Sequence, residues 1–171
     1  MKKGAGRLTL DALFTAFALT IFVIELRIPS IGIPGVKLGL ANIVTVAAAF
    51  LIGPWDAGAV LLCRVLLGGV FSGQIIALWY SLAGGTLCWL TMLPLRRLLT
   101  GKQIWVMSVI GAVAHNVGQI LVALAVTRTA AILYYLPVLM VSGVLAGLFT
   151  GAAAQLAVNR LEPVLKKRFW Y

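Results

Sequence analysis

Arg64 is the residue with the most chemistry to explain. It stands near the middle of an apolar run, L-L-C-R-V-L-L-G-G. An arginine at the centre of a membrane-spanning helix costs roughly 2.5–3.5 kcal/mol on insertion scales. Such a guanidinium must face a cavity, a partner or a bound anion. Two roles are open to it. One is anion binding or gating; the other is a structural pair, with Glu25 the nearest of only four acidic residues.

A second set of groups lies further on. Ser108, Ala112, His115, Asn116 and Gln119 recur at helical spacing and share one face. Polar side chains at lipid depth point inward, toward other helices or a water-filled pocket. The stripe is therefore either a ligand-lining face, with His115 able to donate and accept, or a set of interhelical hydrogen bonds. Tyr80, Ser81 and Tyr135 are candidate pocket residues beside Trp79, whose better role is an interfacial belt. The segment P-G-V-K-L-G-L-A-N, Pro34 to Asn42, is a glycine-rich loop feeding a helix. Lys37 there could meet an anionic group beside helix N-terminal amides, and Asn42 continues one face of the following helix.

Other chemistry is missing from the sequence. There is no G-x-x-x-x-G-K-[ST] loop for nucleotide phosphates, no paired-aspartate motif, no Ser-His-Asp set and no H-E-x-x-H. With a single histidine and two cysteines, Cys63 and Cys88, inside apolar segments, no metal site or cofactor is expected. No catalytic residue is expected either. The net charge of +10 raises nucleic-acid binding. The basic residues form no common face, however, and sit at helix ends and in loops.

These groups must be positioned by helices in lipid. Of 171 residues, 62% are hydrophobic and 11% charged, and mean hydropathy is +1.07. The apolar runs are nearly continuous and show no alternation, which argues against a barrel and favours helices. Six spans are expected, at about 8–27, 38–53, 57–73, 75–95, 104–126 and 130–158, in a single transmembrane domain covering 1–171. The second and third are short, and one could be broken or re-entrant. The first is expected to be retained rather than cleaved as a signal peptide. Pro163 is expected to end the last.

Orientation follows from lysine and arginine. With both termini cytoplasmic, the inner side holds Lys2, Lys3, Arg7, Arg96, Arg97, Lys102, Arg160, Lys166, Lys167 and Arg168, and the outer side Arg27, Lys37 and Arg128. That asymmetry obeys the positive-inside rule. Trp105, Trp170 and Tyr171 fit interfacial anchors. Small residues should let helices approach: Gly143, Gly147 and Gly151 on the last span, Gly69 with Gly73, and Ala12, Thr15 and Ala16 on the first.

Five blocks together resemble a known family. They are I-P-G-V-K-L-G-L-A-N-I-V (Ile33 to Val44), R-V-L-L-G-G (Arg64 to Gly69), Y-S-L-A-G-G (Tyr80 to Gly85), G-A-V-A-H-N-V-G-Q (Gly111 to Gln119) and Y-Y-L-P-V-L (Tyr134 to Leu139). They resemble the Gx transporter family, also labelled heptaprenyl diphosphate synthase component I. That family is similar to the S components of energy-coupling-factor transporters. The resemblance implies an all-α, six-helix, S-component-like bundle in the bacterial cytoplasmic membrane. It implies a substrate pocket near the outer face and docking onto a transmembrane coupling subunit served by ATPases. S components commonly dock through an Ala-x-x-x-Ala face on the first helix, and Ala12 with Ala16 match it.

The expectation is therefore a non-enzymatic, substrate-binding membrane subunit for a small anionic or amphipathic molecule. Its site would be Lys37, Asn42, Arg64, Tyr80, Ser81, His115, Asn116, Gln119 and Tyr135. The alternative is an accessory membrane subunit of an enzyme of prenyl diphosphate or quinone metabolism.

Overall fold

A computed structural model describes residues 5–27, 39–73 and 75–169. The expected Lys2, Lys3, Lys37, Trp170 and Tyr171 lie outside the described residues. Six α-helices follow one another: α1 (Ala5–Arg27), α2 (Asn42–Leu51), α3 (Pro54–Ser72), α4 (Ile75–Leu98), α5 (Ile104–Thr127) and α6 (Leu136–Phe169), with a 3-10 helix at Ala130–Tyr135. Among the described residues there is no strand. Four helical stretches are long and apolar enough to cross a membrane: Ala5–Glu25, Pro54–Ser72, Ile104–Thr127 and Ala130–Lys166. This is a membrane protein. At 24 residues, α4 has the length as well.

The expected span at 38–53 is not a spanning helix. With 10 residues, α2 rises about 15 Å, half of a ~30 Å hydrocarbon core. Its burial explains how so short a helix is tolerated. Val44, Thr45, Val46, Ala47, Ala48, Ala49 and Leu51 are all buried, and α2 packs against α1, α3 and α6. Irregular backbone at membrane depth persists where protein or a polar cavity surrounds it. The α2–α3 turn takes two residues because Gly53 adopts φ 135°, which disfavours any side chain, and Pro54 pre-sets the first turn of α3.

Pro163 does not end α6, which continues to Phe169. The ring removes one hydrogen bond, to the carbonyl of Asn159. Asn159 is exposed, so solvent can take that carbonyl. Gly73 also has another role than packing. It caps α3 in the left-handed region at φ 65°, and nothing lies near its Cα substituent position.

Around the bundle α1 packs on α3, α3 on α4, α4 on α5 and α5 on α6, with α2 set among α1, α3 and α6. The α5–α6 seam is close. A Cβ at Gly143, Gly147 or Gly151 would fall 2.7, 2.6 or 2.6 Å from Asn116 Nδ2, Val109 Cα and Trp105 Cα respectively. Where lipid removes the hydrophobic drive, such backbone approach supplies the van der Waals contact that holds helices together. Leu13, Phe17, Val70, Phe71, Leu145 and Phe149 point outward.

Side chains tie one end of the bundle. Arg7 donates from Nε to Asp56 at 2.9 Å and pairs with it through a second nitrogen, joining the starts of α1 and α3. Arg96 donates from Nε to the Ala49 carbonyl at 3.2 Å and stacks on Phe50. Gln155 accepts from the Ile104 N–H at 3.1 Å and donates to the Gly101 carbonyl. Arg7, Arg96 and Lys102 therefore gather at one end, while Arg27 and Arg128 end their helices at the other. The Arg7 side chain is half exposed, so Arg7→Gln should cost at most about 1 kcal/mol. Thermal unfolding in detergent checks this; a larger loss would mean that the pair is shielded from solvent.

Candidate functional site

The polar stripe of α5 lines a chamber. Ala112, His115, Asn116 and Gln119 form one wall, Ser142, Gly143, Ala146 and Thr150 of α6 another, and Gly39 with Asn42 at the head of α2 a third. The enclosed space is about 40 Å³, a partly open polar recess with room for water. Helical period explains both walls: residues three, four and seven apart share a face.

Each wall is braced. The Ser108 and Thr150 hydroxyls bond across the seam at 2.9 Å, and both residues are buried. Asn116 donates from Nδ2 to the Leu139 carbonyl, which also accepts from Ser142 Oγ at 3.0 Å. Gly84 makes room for the imidazole, since a Cβ there would lie 2.9 Å from His115 ring atoms. The Gly39 N–H donates to Glu25 Oε1 at 2.6 Å, tying the turn before α2 to the end of α1. Among the described residues the chamber carries amides, hydroxyls and an imidazole, and no formally charged side chain. Such a set offers neutral hydrogen bonds rather than a counter-charge.

The structure divides the expected site. Asn42, His115, Asn116 and Gln119 come together. Arg64 and Ser81 do not join them; they line a separate cleft with Phe22, Val65, Gly69, Ser72 and Leu78. Tyr80 lines neither space. Tyr135 sits on the 3-10 helix and is 55% exposed. Lys37 lies outside the described residues. Ala12 and Ala16 are exposed on α1.

Arg64 is not paired with Glu25. Glu25 is near enough to act on it electrostatically, yet Arg64 makes no ion pair among the described residues. Its Cζ lies 6.0 Å from the centre of the Phe22 ring. The cysteines are separate, Cys63 exposed and Cys88 buried. Among the described residues no three His, Cys, Asp or Glu side chains gather to hold a metal ion.

Sequence reasoning missed the α6 wall. Ser142 and Thr150 are eight residues apart and so share a face, which is the available signal. Gly143 reads as packing alone, although it both packs on Asn116 and lines the chamber.

A family model described as heptaprenyl diphosphate synthase component I matches residues 14–157. No curated protein and no solved structure matches the chain.

Proposed function

The chain belongs to the heptaprenyl diphosphate synthase component I family, and from that premise we propose that it is a substrate-binding membrane subunit of the S-component type. It would take a small amphipathic or anionic molecule from the outer side and hand it to a coupling subunit for uptake. The observation that carries this reading is the chamber between α5, α6 and the head of α2. A polar enclosure within an otherwise lipid-adapted bundle is costly to build without a ligand. His115, Asn116, Gln119 and Asn42 would orient the polar part of that ligand. Lys37, two residues before Gly39, would supply a positive charge for an acidic group.

The basic end of the bundle, with Arg7, Arg96 and Lys102, would face the cytoplasm of a bacterial cell. Ala12 and Ala16, exposed on α1, would meet the coupling subunit. With no nucleotide loop in the sequence, the work would come from partner ATPases, and the chain would do no catalysis of its own.

The family's description supports a second reading, an accessory membrane subunit of an enzyme of prenyl diphosphate or quinone metabolism. Native mass spectrometry of gently solubilised protein separates the two. Uptake is expected to show one bound small molecule per chain, with a membrane coupling protein and two ATPases copurifying. Copurification of a prenyl synthase without ATPases would replace the uptake reading with the second.

A further inference from the structure

The cleft that holds Arg64 is electrostatically incomplete. Arg64 is 5% exposed, and among the described residues its Nε has no hydrogen-bond partner. Glu25, the one carboxylate acting on it, accepts instead from the Gly39 N–H at 2.6 Å. The face of Phe22, 6.0 Å from Cζ, offsets only part of what a guanidinium loses on leaving water. A cation with five donors in a fixed fork is thus held at membrane depth with Glu25 nearby but with no ion pair among the described residues. Beside it lies a narrow, partly open cleft whose enclosed space is about 10 Å³, about that of one water. Its remaining walls are of two kinds: the hydroxyl-bearing Ser72 and Ser81, and the apolar Phe22, Val65 and Leu78.

We propose that this cleft is a second binding site, separate from the α5–α6 chamber, for an oxyanion carried on an apolar chain. The guanidinium takes the phosphate or carboxylate oxygens in the paired geometry that suits it, and the Ser81 hydroxyl adds a donor. Phe22, Val65 and Leu78 contact the first carbons of the chain. The ligand is either the headgroup of a membrane phospholipid or a free amphiphilic acid, which share this chemistry. The site does not depend on the uptake reading, because the two spaces have no lining residue in common.

Dodecyl phosphate, titrated into the full chain in a neutral maltoside detergent and followed by native mass spectrometry, tests the assignment. One molecule per chain is expected, and inorganic phosphate at the same concentration should not replace it. Arg64→Gln should weaken binding at least tenfold, and Ser81→Ala by a few fold. Gln119→Leu, which alters the chamber alone, should leave the affinity within twofold. Should Arg64→Gln fail to fold, Leu78→Trp, which plugs the cleft from α4, carries the same expectation of loss. A phospholipid that copurifies with the wild-type chain and is displaced by dodecyl phosphate identifies the source as lipid. Binding without any copurified phospholipid identifies a free amphiphilic acid. Equal affinity in wild type and a folded Arg64→Gln, or no one-to-one binding, overturns the site. Loss of dodecyl phosphate in Gln119→Leu overturns its separateness while leaving the chamber reading intact.

Discussion

Gly147→Leu is expected to loosen the α5–α6 seam and lower the thermal midpoint of the solubilised protein by several degrees. The reason is distance. A Cβ at Gly147 would stand 2.6 Å from Val109 Cα and 3.1 Å from both Val109 N and the Ser108 carbonyl. Those are backbone atoms of a helix and cannot swing aside as a side-chain tip can. The two helices must separate, and overpacking of this kind costs about 1–3 kcal/mol. In lipid the loss is not recovered by hydrophobic collapse, because the tails are as apolar as the leucine. Separation would also stretch the Ser108–Thr150 bond at 2.9 Å and open the chamber floor. Gly101→Ala is the matched control, since nothing lies within reach of a Cβ there. Wild-type behaviour of Gly147→Leu in thermal unfolding would mean that the glycine ladder does not set the helix spacing.

Gln119→Leu should do the reverse: leave the fold intact and empty the chamber. The substitution roughly keeps volume and removes an amide that lines the cavity. No hydrogen bond from Gln119 to the described residues holds the bundle together. A ligand group that faced the amide would be left without a partner, at a cost of about 1–3 kcal/mol. Each 1.4 kcal/mol is about tenfold in affinity, so affinity for the copurified molecule should fall roughly fivefold to 150-fold. Occupancy in native mass spectra at matched thermal midpoint is the measurement. Unchanged occupancy would remove Gln119 from the ligand face and leave the stripe as interhelical polar packing.

Both variants show how differently the parts of this protein are written. The α5 stripe is legible because five residues at 3.6-residue spacing define a face whatever surrounds them. The glycine ladder of α6 is legible for the same reason, and the structure seats it on Trp105, Val109 and Asn116. The α6 wall of the chamber is not. Two hydroxyls in an apolar helix are ordinary, and Thr150 does donate back to the Ala146 carbonyl at 2.9 Å. Their second role exists only because α5 lies opposite.

Composition and period determined that the chain is helical and lipid-adapted, which segments are apolar, and that Arg64 and the His115 stripe need a polar interior. Those follow from solvation energies and helical geometry, which act on each residue locally. The tertiary structure decided that α2 is a buried half-length helix rather than a span, and that Arg64 and His115 line separate spaces. An apolar run has the same appearance whether lipid or protein covers it, and a helical face has no direction until its neighbours are placed.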